Sequence, residues 1–412
     1  MSSRKSFLTV LLIVLFSGFV PAREGIRATR VCGGGDDASD QSLFELSEPG
    51  GLLHECWPRI HGKRGIVVEY NYTGGLFSNM RGGASTKNAT KYMGTADLLM
   101  HGRTAEMGLW KNGGFGLLAS SFHGESMSES VGDMQAVSVF EYPPRAQVSE
   151  FWYEHSFGDF LDVKLGKLDG AAHFGVLDCV GRFINGSFTT YPNNPVPTLP
   201  DTGMGVIAFV HLTDSLRVHV GVFDGKPDGT RNWFSNEGTT FSIYQLDYHY
   251  SLCRDALPGH AQLGVWYDSN PWERLTDGTA REGNYGWYVS CEQEIFSQNC
   301  KRHGVARSIR LFTQYSWSPE ECAEIGTYWN AGLSWTGFWN ARPDDDTGIG
   351  ITVAEISRHL GRPHAREATV ELFHIFALGD NFSIQPDLQY VAKPSGEYDD
   401  AFVFGLIFYA KF

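Results

Sequence analysis

The polar residues of this chain that are spaced for chemistry recur at intervals of two. Glu150, Trp152 and Glu154 alternate with Phe151 and Tyr153, and Asp162 and Lys164 alternate with Leu161, Val163 and Leu165. Ser383, Gln385, Asp387 and Gln389 alternate with Phe382, Ile384, Leu388 and Tyr390. A period of two puts carboxylates, amides and cations on one face of an extended chain and apolar groups on the other. Such a face hydrates and binds polar species; catalysis needs more. No H-E-x-x-H, G-x-S-x-G or G-x-x-x-x-G-K-[ST] pattern occurs, and no nucleophile, base and orienting group stand together. A channel or binding function is expected rather than an enzyme, with no cofactor.

Metal chemistry is no better signalled. The seven cysteines, Cys32, Cys56, Cys179, Cys253, Cys291, Cys300 and Cys322, form no C-x-x-C pair, so no zinc site is expected. Their odd number leaves at least one unpaired, and a rim staple of Cys253 with Cys300 is the expected pairing. His359 and His364 read as a solvated basic loop. Asp344-Asp345-Asp346 lacks the acidic-plus-glycine period of a calcium loop and reads as a solvated turn.

The elements that must position these residues are strands. From Gly65 onward, aromatic and β-branched runs alternate with Gly, Asp, Asn and Pro clusters. Strand cores are expected at 65–72, 92–100, 114–121, 147–155, 160–166, 204–212, 216–223 and 239–250. The second half gives 260–267, 285–294, 307–315, 328–337, 347–355, 368–377, 382–390 and 401–412. Sixteen is an even number, which puts both ends of a closed barrel on one side. Short turns such as 157–159, 213–215 and 378–381 interleave with longer loops at 73–91, 122–146, 168–203, 224–238 and 268–284. The connection at 101–113 is too long for that rule. Pro386 points outward and is expected to force a local bulge.

The last strand says which solvent lies outside. Phe402, Phe404, Leu406, Phe408, Ala410 and Phe412 share one face, and the chain ends on that stripe. An exposed aromatic edge strand aggregates in water, whereas a barrel in lipid must close its last strand on its first. The fold expected is therefore all-β, a 16-stranded antiparallel transmembrane β-barrel, with Ala401 to Phe412 pairing Gly65 to Tyr72. The final strand of a soluble β-sandwich is the competing reading.

At the other end Arg4 and Lys5 precede the apolar run Phe7 to Phe19, and Val20-Pro21-Ala22 offers a cleavage site. Residues 1–22 read as a signal peptide, too short an apolar run to span a bilayer. Residues 23–63 read as a short periplasmic segment and 64–412 as the barrel. The formal charge of −14 becomes more negative once the leader's two basic residues are removed. That balance argues against nucleic acid and anionic membranes as partners. With 48 glycines, 14% aromatics and no transmembrane-length apolar run beyond the leader, the composition suits strands that meet lipid with alternate residues.

Several segments resemble the OprB-type carbohydrate-selective porins of bacterial outer membranes. They are His123-Gly124-Glu125-Ser126 with Val131-Gly132-Asp133-Met134-Gln135, then Glu150 to Glu154, Leu165 to Asp169, and Phe183 to Phe188. Gly221 to Gly225, Gly283 to Tyr288 and the hairpin Ser383 to Tyr390 with Pro394 and Gly396 follow in family order. The similarity covers roughly residues 62 to 412. It implies second and third loops folded into the lumen and passive uptake of glucose-like mono- and small oligosaccharides. The cysteines depart from the family's pattern, as does Gln314, which stands where many relatives carry Arg.

A sugar is neutral and ringed by hydroxyls, so a selective pore needs aromatic surfaces and charged or amide groups that replace hydration weakly. The third loop offers Asp178, Arg182, Asn185, Phe188, Tyr191 and Asp201; the second offers Glu141, Tyr142 and Arg145. From the walls, Glu150, Trp152, Glu154, Asp162, Lys164 and Asp247 are expected to line the pore. So are Glu292, Arg310, Glu371, Gln385, Asp387 and Gln389. Arg182 and Arg145 are expected to oppose wall carboxylates at the narrowest point. Phe412 resembles the terminal phenylalanine by which barrel-assembly machinery recognises outer-membrane barrels. A monomer and a homotrimer stay open. A general diffusion porin, an outer-membrane barrel enzyme and a secreted carbohydrate-binding β protein are the alternatives.

Overall fold

In the computed structural model sixteen antiparallel strands close on themselves. It describes residues 60–61, 65–229, 233–235, 237–253, 257–300 and 305–412. The expected signal peptide and nearly all of the 23–63 segment lie outside the described residues. In chain order the strands are β1 (Ile66–Arg81), β2 (Thr90–Arg103), β3 (Gly113–Gly124), β4 (Arg145–Phe157), β5 (Leu161–Leu168), β6 (Gly203–Thr213), β7 (Leu216–Asp224) and β8 (Thr240–Leu252). Then come β9 (Leu257–Glu273), β10 (Ala280–Cys300), β11 (Val305–Trp317), β12 (Ile325–Thr336), β13 (Asp346–Ile356), β14 (Arg366–Ala377), β15 (Phe382–Ala392) and β16 (Ala401–Lys411). Each pairs with its sequence neighbours, and β16 pairs with β1. A two-residue strand, Ile60–His61, adds to β1 at Val67 and Val68. No helix among the described residues is long and apolar enough to cross a membrane.

All sixteen expected strands are present, most of them longer than their cores. The closing register differs from the expected one. β16 pairs Asn71–Arg81, from Lys411↔Asn71 to Phe402↔Arg81, instead of Gly65 to Tyr72. The cause is that Gly74-Gly75 and Asn79 resemble turn residues but lie inside β1. A Cβ on Gly74 would sit 2.5 Å from the Phe408 ring, so the glycine makes room for that ring. Below the ladder, Phe412 N–H donates to the Tyr70 carbonyl at 2.9 Å.

Two further expectations are corrected. The 268–284 loop shrinks to 274–279, because Asn270-Pro271 forms a bulge in β9 and no turn. Asp268 stabilises the bulge by accepting Asn270 N–H at 2.9 Å and Trp272 Nε1–H at 3.0 Å. Pro386 produces no bulge. The β14–β15 ladder breaks between Phe373↔Asp387 and Phe376↔Ile384 and resumes in the same register. The overlong turn 104–112 is real and braced from within, Thr104 Oγ1 donating to the Trp110 carbonyl at 2.6 Å.

The faces sort as the alternation requires. Phe151, Leu165, Val206, Leu263 and Leu406 are exposed on the outside. Trp110, Phe157, Phe160, Trp339 and Phe412 are exposed at the short-turn rim, and Tyr92, Tyr267, Tyr285 and Tyr390 toward the other. Two aromatic girdles around an apolar band are the signature of a barrel in a bilayer. Inward positions are polar, and many are covered by the second loop (125–144) and the third (169–202). Cys253 is an exposed free thiol, so the expected staple with Cys300 is absent; Cys179, Cys291 and Cys322 are free as well.

Candidate functional site

The third loop cannot leave its backbone polar groups dry inside a barrel, and the wall supplies their partners. Glu371 on β14 accepts the N–H groups of Ile184 and Asn185 at 2.7 and 2.8 Å. Glu292 on β10 accepts Cys179 N–H at 3.0 Å, and Gln385 on β15 donates to the Arg182 carbonyl at 2.9 Å. Gln389 donates to the Val137 carbonyl of the second loop at 2.8 Å. Hydrogen bonds from N–H to a carboxylate are worth about 1.5–3 kcal/mol each, so a buried pair fixes a loop segment firmly.

Apolar packing covers the same surfaces. Phe183 and Phe188, both fully buried, stack 4.3 Å apart, and Phe183 meets Phe312 and Phe373 edge-on at 5.2 and 4.9 Å. A Cβ on Gly350 would lie 2.7 Å from the Phe188 ring, so this wall position has room only for glycine. The second loop packs Met127, Val131 and Val137 onto Phe77, Val403 and Ile407 of β1 and β16. The terminal strand is thus aromatic toward lipid and apolar toward the loop that plugs it.

A short 3-10 turn, Asp178–Arg182, buries Cys179, Val180 and Gly181 but leaves its two charged ends in solvent beside their wall partners. Arg182 is one-third exposed and lies 2.5 Å from Asp346 Oδ2 at the foot of β13. Arg310 on β11, equally exposed, sits 3.2 Å from Glu294 and 3.8 Å from the exposed Asp178. Paired guanidinium and carboxylate groups in water offer donors and acceptors side by side, which is what hydroxyl groups require.

A closed barrel narrowed by two pinned loops, with that array in its lumen, limits the candidate families sharply. The sequence pattern of the carbohydrate-selective porins, OprB family, matches residues 87–412. The chain belongs to the OprB family. This porin is similar to Porin B of Pseudomonas aeruginosa, 24% identical over 89% of this chain and 91% of that protein. It shares its fold with the high-pH structure of Pseudomonas putida OprB, at TM-score 0.77 and 19% identity, covering 85% of this chain and 94% of that one. The low-pH structure of the same protein gives 0.58 at 18% identity over 85% and 93%. The protein is an outer-membrane carbohydrate porin.

The expected lining residues divide into groups. In this porin Glu292, Glu371, Gln385 and Gln389 fasten loops. Glu141 does so within the second loop, accepting Ser128 N–H at 3.1 Å; desolvation raises its pKa above the usual carboxylate range. Among the described residues Arg145 pairs with no wall carboxylate: it donates to the Pro200 carbonyl and Asp201 of the third loop, both at 2.7 Å. Glu150 and Glu154 are buried near Lys164, whose ammonium lies 4.0 Å from Glu154 and 3.9 Å over the Trp152 ring. Asp162 pairs with His211 at 2.8 Å, Asp247 with His260 at 2.8 Å, and Asp387 accepts from Gln389 at 2.9 Å. Phe188 and Tyr191 are buried in packing clusters and offer no open stacking surface. Of the expected set Asp178, Arg182, Arg310 and Asp201 are both charged and substantially in solvent, and Asp201 is taken up by Arg145.

Sequence reasoning missed several fasteners. Glu367 accepts Met134, Gln135 and Ser395 N–H groups at 2.9, 3.1 and 2.6 Å. Gln245 accepts Gly175 N–H at 2.8 Å, and Gln314 donates to the Gly175 carbonyl at 3.2 Å. Each lies an even number of residues from a recognised inward residue, Glu367 from Glu371 and Gln245 from Asp247. That parity was the available signal.

Proposed function

We propose that the porin passes glucose-like mono- and small oligosaccharides passively, and that the solute meets Asp178, Arg182 and Arg310 at the narrowest level. The observation that carries this is the pair of solvated ends of the Asp178–Arg182 turn, Asp178 beside Arg310 and Arg182 against Asp346. Sugar hydroxyls donate and accept at once, so an array of fixed cations and carboxylates replaces water at small net cost and releases the solute readily. Ion pairs with Asp346 and Glu294 hold the two arginines in place. The remaining candidates act indirectly, by fixing the loops that set the bore.

Liposome swelling with sugars, amino acids and organic anions of matched size tests the reading. Sugars should enter faster than the others, and R182A with R310A should remove the preference. Equal entry of all three classes makes this a general diffusion porin. We also propose that the C-terminal strand, ending in Phe412, is the surface read by the barrel-assembly machinery. Sizing in detergent distinguishes a monomer from a homotrimer.

A further inference from the structure

Asp247, His249 and His260 lie on the lumen wall near the short-turn rim, with Glu292 between His260 and the Asp178–Arg182 turn. In sequence they form no motif. The β8–β9 register makes His249 and His260 direct cross-strand partners and sets Asp247 opposite Gln262, two residues along the same face. The two imidazoles stack at 4.2 Å with 9° between planes. Their Nε2 atoms converge on one oxygen, Asp247 Oδ1, at 3.0 Å from His249 and 2.8 Å from His260. Among the described residues this trio brings one ligand atom from each side chain within 4.8 Å of the others.

We propose that this trio is a binding site for a divalent transition-metal ion. Ligand atoms around a tetrahedral ion with bonds of about 2.0 Å stand roughly 3.3 Å apart, close to the 3.0 and 2.8 Å from Asp247 Oδ1 to the two imidazole nitrogens, and the rings turn out of their stack to aim both lone pairs at the ion. Two imidazole nitrogens and a carboxylate oxygen suit zinc, copper, nickel or cobalt and not calcium or magnesium. Without an ion, one oxygen must accept two N–H groups from stacked rings. An ion replaces both protons and relieves that crowding.

The surroundings are built as outer shells of metal sites are. Asp247 Oδ2 is held by the amides of Gln245 at 3.1 Å and Gln262 at 3.4 Å, which leaves Oδ1 aimed at the histidines. The far nitrogen of His260, Nδ1, faces Glu292 Oε1 at 3.8 Å, and that carboxylate is itself fixed by Cys179 N–H. A carboxylate behind a ligating histidine orients the ring and raises its basicity. His249 is about half exposed, with 45% of its side chain in solvent, so the fourth position opens to the lumen for water or a passing solute.

The test uses the full-length barrel in detergent micelles, with Cys253→Ser as background because that thiol lies in the turn joining β8 and β9. Zinc calorimetry should give one site per chain at micromolar affinity, and cobalt should show the visible bands of a four-coordinate ion. His249→Ala and His260→Ala should each weaken binding by about tenfold or more. Asp247→Asn, which keeps the side chain's shape, should do the same. Heat-modifiable gel mobility confirms that each variant is a closed barrel. Zinc binding of equal strength in the histidine variants, or none by the folded parent at millimolar zinc, overturns the proposal.

Discussion

On β14 the carboxylate of Glu371 accepts the backbone N–H of Asn185 at 2.8 Å, joining a wall and a loop 186 residues apart in sequence. The same side chain holds Ile184, and the Asn185 side chain caps the short helix that follows by accepting Ser187 N–H at 3.1 Å. One buried acid therefore holds the centre of the third loop, between the fastenings that Glu292, Gln245 and Gln314 give its first half and the cap that Asn185 gives its helix.

Replacing Glu371 with Ala leaves two buried N–H groups without acceptors, at about 1–3 kcal/mol apiece. Expected is a barrel that still closes but shows larger, noisier single-channel conductance. Glu371→Gln retains an acceptor oxygen and should fall between. Conductance identical to the parent in both variants would remove the anchoring role.

Arg182 and Arg310 are expected to act on the solute, Arg145 on the loop. Losing one charge-assisted hydrogen bond, about 1.5 kcal/mol at the low end of its range, raises the half-saturating sugar concentration about tenfold or more. R182A and R310A should show that loss together with a reversal potential shifted toward cation preference in a salt gradient. R145A should shift neither strongly but lower thermal stability, since its partners are Pro200 and Asp201. A sugar defect in R145A matching that of R182A would reverse the assignment.

The second loop and the start of the third should respond to pH. Desolvation, then the nearby Glu367 and Glu141 carboxylates, raise Asp133 well above its ordinary pKa, and desolvation raises Glu141 and Asp169. A carboxyl with a raised folded pKa favours the folded state fully below its unfolded pKa and loses that contribution as pH rises through the folded value. The melting temperature should therefore fall as pH rises from about 4 toward neutrality, the unfolded carboxyl value marking the start. Asp133→Asn should flatten that slope. A slope unchanged in the variant would assign it to other groups.

Deleting Phe412 removes the N–H donated to Tyr70 and a ring 5.7 Å from the Tyr70 ring. The yield of heat-modifiable barrel should drop while transport per assembled barrel stays the same. Normal yield would show that closure rests on the ladder above it.

The sequence by itself determined the number of strands, the face each residue takes and the medium outside. Those follow from a period-two pattern, which local chain geometry imposes wherever one face meets lipid. It placed Glu371, Gln385 and Gln389 inside but could not say that loop backbone would occupy them. Hydrogen bonds between residues two hundred positions apart depend on how deep a loop descends, and no local period records depth. Only the tertiary structure decided the closing register, where Gly74 sits under Phe408 in a strand. Only the cross-strand register set His249 against His260 beside Asp247.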